Sequence, residues 1–315
     1  MYIISMSYCE LITNYTALIA LQVIWGITNI FFANVTAQMY SVFIIMIRIT
    51  CSTIIMMPIA IYYDDYVPSK RDMAWFLFLG MTGLVIPQTM FMIGVSMVGP
   101  IISSISTPIL PIFVVALSIV TKLESFSYIK ITGIVISVIG TFVMIDSSNL
   151  SLKDSHTVGI LLLFLCQVFY AIYNISQKFI LNNGDHIIPV LSLSAWTYFM
   201  ANIVTTVIGT GYWMISDNTI ANVITDQFEL ANFILPMIYI VLLHSSLSVF
   251  IATYLNKKLQ PSIIAASNTI QPIIVIVIVY LLYGQTITAN QAISCILIIT
   301  GLIIVCTQKF IETDT

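Results

Sequence analysis

Long apolar runs interrupted by single polar residues dominate this chain. A helix rises ~1.5 Å per residue, so about 20 mostly apolar residues cross the ~30 Å hydrocarbon layer of a bilayer. Runs of that kind fall at 17–38, 40–62, 75–97, 101–121, 127–146, 158–181, 188–214, 232–255, 262–283 and 288–308, predicting ten membrane-spanning helices. The longest polar stretches between them, 62–72, 146–157 and 216–229, are linkers too short to be domains. Composition agrees: 59% of the 315 residues are hydrophobic and 7% charged, with a mean hydropathy of +1.05. An ordinary soluble domain carries about 25% charged residues. A chain so poor in charge cannot cover a water-facing surface, which makes this an all-α integral membrane protein whose main partner is the lipid bilayer.

Basic residues test the count. With the N-terminus in the cytosol, Lys70, Arg71, Lys122, Lys130, Lys178, Lys257, Lys258 and Lys309 fall at cytosolic ends, and Lys153 falls outside. That split obeys the positive-inside rule and would be scrambled by one missed or extra helix in the middle. Both termini are then cytosolic, in either the plasma membrane or an endomembrane. The sequon at Asn149 lies in an outside loop and could be glycosylated in a eukaryote, whereas Asn14 is expected to be cytosolic and bare. The net charge of −3, spread thinly over loops, gives no reason to expect nucleic-acid binding. Cys9, Cys51, Cys166, Cys295 and Cys306 show no CxxC pairing and read as small buried hydrophobes, not disulfides or a metal site. The first residues lack the basic start of a cleaved signal peptide, and the tail carries no recognised lipidation motif.

The polar interruptions repeat. "PIISSISTPILPIFVVALSIVTKLE" from Pro100 is echoed 161 residues later by "PSIIAASNTIQPIIVIVIVYLLYGQ". Pro100 falls on Pro261, Ser106 on Ser267, Pro111 on Pro272 and Gly140 on Gly301. At an offset of 145, Gln22 meets Gln167, Trp25 meets Tyr170 and Asn29 meets Asn174. The matches fall on Pro, Gln, Asn and Gly rather than on interchangeable Ile and Val. The chain therefore reads as two five-helix halves, 17–146 and 158–308. An odd number of helices per half turns the second half over, giving two inverted repeats that meet at the membrane midplane, a layout typical of secondary transporters.

These segments, with "VIWGITNIFF", "MIRITCSTIIMMPIA", "GIVISVIG" and "CILIITGLIIV", resemble the drug/metabolite transporter superfamily, with two EamA-type repeats covering nearly the whole chain. "QVFYAIYNISQK" is similar to the plant-type branch. The resemblance implies ten helices and carriage of a small metabolite, but says little about which one. The family commonly has a Glu after both the fourth and ninth spans; here Glu124 is kept and Gln285 stands in the second place.

Polar groups inside a bilayer face protein or a wet cavity, because an unsatisfied one costs several kcal/mol in hydrocarbon. Gln22, Trp25, Gly26 and Asn29 share one helix face, and Gln167, Tyr170, Ala171 and Asn174 repeat it. Ser103, Ser106 and Thr107 share a side of the fourth span, and Ser267, Asn268 and Gln271 a side of the ninth. Gln22, Trp25, Asn29, Gln167, Tyr170, Asn174, His244, Asn268 and Gln271 are thus the candidate solute-binding residues. The alternative for the Asn and Gln residues is that they merely glue helices together, and for the serines and threonines, which also bond back to their own helix, that reading is the better one. Trp25 and Tyr170 suit stacking on a ring or plain packing. His244, near mid-span beside Ser245 and Ser246, suits a solute contact, a proton acceptor or a neutral interhelical bond. Arg48, about 10 Å inside its span, either holds an anionic solute or snorkels outward and supports the fold. Pro111 and Pro272, with Pro58, Pro87, Pro108 and Pro236, loosen helix turns and serve as bending points or static kinks. Lys122 and Glu124 read as a solvated charged turn.

The leading expectation is a secondary carrier of a small organic metabolite, an amino acid or a nucleoside-like solute among the candidates, working by alternating access. A multi-spanning channel or receptor without carrier activity is the alternative. No HExxH, GxSxG or Walker A pattern is present, which argues against an enzyme or a self-contained ATP-driven pump. No cofactor is expected, and a homodimer is compatible with the pattern.

Overall fold

A computed structural model describes residues 8–143, 154–183, 188–215, 223–226, 228–283 and 289–313. Asn149, Lys153 and Gln285 lie outside them. Among the described residues the chain is helical, with no β-strand and one isolated antiparallel bridge between Met39 and Ile224. We number the continuous helical rods α1 (Tyr8–Gln38), α2 (Ser41–Asp64), α3 (Lys70–Gly99), α4 (100–120), α5 (Tyr128–Val143), α6 (Asp154–Asn183), α7 (Val190–Ile215), α8 (Leu230–Lys258), α9 (261–283) and α10 (Ala289–Thr313). Seven of these carry helices long and apolar enough to span a bilayer; α4, α5 and α10 carry shorter apolar cores.

The distribution of side chains is that of a lipid-facing bundle. Ile54, Val120, Leu161, Val207, Leu235 and Ile296 are exposed, while Gln22, Arg48, Ser52, Gln167 and Ser267 are buried. Such an exposed apolar belt would be an aggregation hazard in water and is ordinary against acyl chains.

Local breaks in the rods follow from sequence. Gly99, at φ +80, takes the left-handed conformation that separates α3 from α4. Proline removes the N–H that would bond the carbonyl four residues back. In α4 the carbonyl deprived by Pro111 is that of Thr107, which accepts from Leu110 N instead, tightening Thr107–Ile109 into a 3₁₀ turn. In α9 Pro272 does the same to Asn268, whose carbonyl accepts from Gln271 N in the 3₁₀ turn Asn268–Ile270. The two turns are 161 residues apart, so one local cause acts twice. Segments of π-helix also recur, at Gly80–Val85 in α3, just before Pro87, and at Ile240–Leu247 in α8, just after Pro236.

Packing keeps the same symmetry. α2 packs on its own counterpart α7, and α5 on its counterpart α10; α3 lies along α6 as α1 lies along α8. The α5–α10 seam is closest. A Cβ on Gly301 would stand 2.4 Å from the Gly133 carbonyl oxygen, and one on Gly140 would stand 2.8 Å from Leu297 Cβ. Small residues there let two backbones touch, the usual route to tight helix pairs where lipid gives no hydrophobic drive. Ser137 Oγ donates to the Ile298 carbonyl at 3.3 Å across this seam.

One end of the bundle collects the basic residues. Lys130 Nζ meets Glu124 at 2.6 Å and Gln260 Oε1 at 3.0 Å, Lys178 Nζ donates to the carbonyls of Asn256, Lys257 and Leu259, and Lys258 pairs with Glu10 at 2.9 Å. The reading of Glu124 as part of a solvated turn is corrected. Its side chain is 3% exposed, because its carboxylate also accepts from Ser262 N and Oγ at the start of α9. Lys122 stays exposed. At the opposite end, Tyr40 N donates to the Val223 carbonyl, Thr225 N to the Gln38 carbonyl and Glu229 N to Gln38 Oε1.

Candidate functional site: a central cavity between the repeats

The two Gln–Asn stripes and the two proline-loosened helices enclose a cavity of 140 Å³ in the middle of the bundle. That is about the size that accepts a benzene-like ring. Trp25 and Asn29 come from α1, Thr107 and Leu110 from α4, Gln167, Tyr170, Tyr173, Asn174 and Gln177 from α6, and Ile264, Ala265, Asn268 and Gln271 from α9. α3 adds Gly83, Leu84, Gln88 and Phe91; α8 adds His244, Val249 and Ala252; Phe32 closes one wall. Among the described residues no Asp, Glu, Lys or Arg lines it.

Eight of the nine candidate residues, all but Gln22, therefore line one cavity. Gln22 is fully buried just behind it, where its Nε2 donates to Ser267 Oγ at 2.7 Å and its Oε1 accepts from Gln271 Nε2 at 2.9 Å. Its counterpart Gln167 reaches Ser106 Oγ at 3.4 Å. Both bonds join the stripe of one repeat to the hydroxyl-bearing helix of the other, and the partners Ser106 and Ser267 are themselves matched. These hydroxyls also bond back to Ser103 and Ile264 carbonyls, as expected for serine in a helix.

The wall is part fixed and part free. Trp25 Nε1 donates to Ser248 Oγ at 2.9 Å, and that hydroxyl donates in turn to the His244 carbonyl. Asn174 Nδ2 is held by the Tyr170 carbonyl at 2.8 Å. Gln177 bridges Tyr173 OH at 2.7 Å, Thr253 Oγ1 at 3.1 Å and Asn256 Nδ2 at 2.9 Å. Asn29 Nδ2, Gln88 Oε1 and His244 Nδ1, by contrast, are buried with no hydrogen-bond partner among the described residues. A donor, an acceptor and a ring nitrogen thus remain unpaired where pairing is normally enforced. Phe32 stacks edge-on against His244 at 5.2 Å and lies 6.2 Å from Phe91, leaving aromatic surface between them.

Gln88, Tyr173 and Gln177 were not singled out from sequence. Gln177 continues the α6 stripe by one turn past Asn174, and Tyr173 stands one turn after Tyr170 beside it, which an extended 3.6-residue count could have found. A glycine at 83 is required by the ring of Tyr173, which would come within 2.3 Å of a Cβ there. Arg48 does not line the cavity and does not snorkel; it is fully buried in α2.

A sequence model of a family described as "EamA-like transporter family" matches residues 13–146 and again 157–307. No curated protein sequence matches the chain. Among solved structures, 29 chains match in fold. One, titled only "Crystal structure of protein", superposes with a TM-score of 0.71 over 96% of this chain and 98% of that one, at 11% identity. At that identity the likeness concerns the fold alone.

Proposed function

Because the chain belongs to the EamA-like transporter family, a family of membrane transporters, we propose that it carries a small organic metabolite by alternating access between two inverted five-helix repeats. The observation that carries this reading is the cavity itself. It draws lining residues from both repeats, at matched positions, and holds three buried polar atoms with no partner. Leaving such a group unpaired costs about 1–3 kcal/mol, a penalty a bound polar solute would offset. A ring-sized, mostly uncharged cavity suits an amino acid, a nucleoside-like solute or another small metabolite. The matched 3₁₀ turns and π segments support motion around it, since π bulges and proline-loosened turns are places where a helix bends with little loss of hydrogen bonding. Ten crossings with both termini cytosolic fit the gathering of Lys130, Lys178 and Lys258 at one end.

Uptake and counterflow in proteoliposomes against a panel of amino acids, nucleosides and other metabolites test the reading. Saturable flux with trans-stimulation is expected. Current that does not saturate would instead mark a channel, and absence of flux for every solute, with folded and oriented protein, would remove the carrier reading.

A further inference from the structure

We propose that Arg48, buried behind the wall of this cavity, binds a carboxylate that the solute carries. This deepens the carrier reading and rests on it. Arg48 is fully buried eight residues into α2, with no carboxylate near it among the described residues. Nη1 donates to Ser245 Oγ at 3.1 Å. Nε and Nη2 have no hydrogen-bond partner among the described residues. Those two N–H groups share one edge of the guanidinium, the edge that takes both oxygens of a single carboxylate.

The charge sits directly behind the cavity wall. Its guanidinium carbon is 5.9 Å from the centroid of Phe32, a lining residue whose ring meets the lining His244 edge-on. Tyr198 and the lining residue Tyr170 are its electrostatic neighbours. Among the described residues no acidic side chain lines the wall, and the charge of Arg48 behind it is weakly screened in a low-dielectric interior. Cations are repelled and anions drawn in. An ionised guanidinium without a counter-charge is costly to bury, and a solute carboxylate reaching past Phe32 supplies the missing partner. The aromatic wall of Trp25, Phe32 and Phe91 suits an apolar or ring-bearing remainder.

The test compares acids with their amides on the full chain in detergent: benzoate with benzamide, nicotinate with nicotinamide, and phenylalanine with phenylalaninamide. Ligand-dependent thermal stabilisation is titrated for the native protein, Arg48→Gln and Arg48→Lys. At least one acid is expected to bind about 30-fold or more tightly than its amide. Arg48→Gln is expected to abolish that advantage and Arg48→Lys to keep part of it. Acids and amides binding alike, an advantage that survives in Arg48→Gln, or no acid binding at all would overturn the assignment. Should Arg48→Gln fail to fold, the native acid–amide comparison and Arg48→Lys decide. Neutral solutes transported without any acid preference would sink the Arg48 assignment and leave the carrier reading intact.

Discussion

Thr107 Oγ1 lies 3.5 Å from the backbone oxygen of Asn268, the residue that holds the same place in the second repeat. Two positions 161 residues apart can touch only if the pseudo-twofold axis relating the repeats passes between them. Ser137 and Ile298, separated by the same interval, also touch. The axis thus runs through the floor of the cavity and the α5–α10 seam together.

Gln22 and Gln167 occupy equivalent places but hold unequal networks. Gln22→Leu removes the bonds to both Ser267 and Gln271, at 2.7 and 2.9 Å, while Gln167→Leu gives up only the 3.4 Å contacts to Ser106 Oγ and Cys166 Sγ. We expect Gln22→Leu to destabilise by about 1–3 kcal/mol and Gln167→Leu by about 1 kcal/mol or less. Thermal unfolding of the two purified variants checks the order.

Asn29 and Asn174 separate solute contact from scaffold. Asn29 Nδ2 bonds nothing, so Asn29→Leu should leave the unfolding temperature near native and cut counterflow about tenfold. Asn174→Leu loses the bond to the Tyr170 carbonyl and should cut counterflow with a modest fall in stability. Transport is measured per folded molecule. Loss of abundance with normal transport would return both to a purely packing role.

Gly301 has no room for a side chain. In Gly301→Val the new Cβ meets the Gly133 carbonyl and Ser137, and a loss of about 3 kcal/mol or more is expected. Gly211, with nothing within 4 Å of its Cβ position, is the control, and Gly211→Ala should stay within about 0.5 kcal/mol of native. Size-exclusion recovery and unfolding temperature read both.

Removing Glu124 leaves Lys130 buried without its carboxylate. Glu124→Ala should cost about 3–5 kcal/mol, and Glu124→Ala with Lys130→Met should regain much of it. A double-mutant cycle on unfolding temperature measures the difference.

Sidedness is open to labelling. Single cysteines at the exposed positions Asp65, Lys122 and Asp226, in a background lacking native thiols, should split under a membrane-impermeant maleimide. Asp65 and Lys122 are expected to react from the cytosolic side and Asp226 from the other. All three reacting from one side would dismantle the inverted arrangement.

Much of the cavity was legible because polar residues in an apolar helix have few places to go. The Gln–Trp–Asn and Gln–Tyr–Asn faces read at helical spacing, and their reuse in the second half marked them as more than chance. Gln88 escaped because it follows the π segment Gly80–Val85, whose extra residue per turn rotates everything beyond it off a regular 3.6 count. Glu124 was misread for another reason. A charged turn looks solvated in sequence, and its burial is set by Ser262 and Lys130, which arrive from other helices. Whether Arg48 faced lipid, water or protein could not be read from its own helix, since Phe32 and Ser245 belong to α1 and α8.

The backbone contact between Gly133 and Gly301 has a mechanical corollary. Two carbonyl-to-Cα faces at that spacing cannot slide or roll without collision, so α5 and α10 behave as one fixed post. Under the proposed alternating access this post would move as one body, with relative displacement taken up by the remaining eight rods.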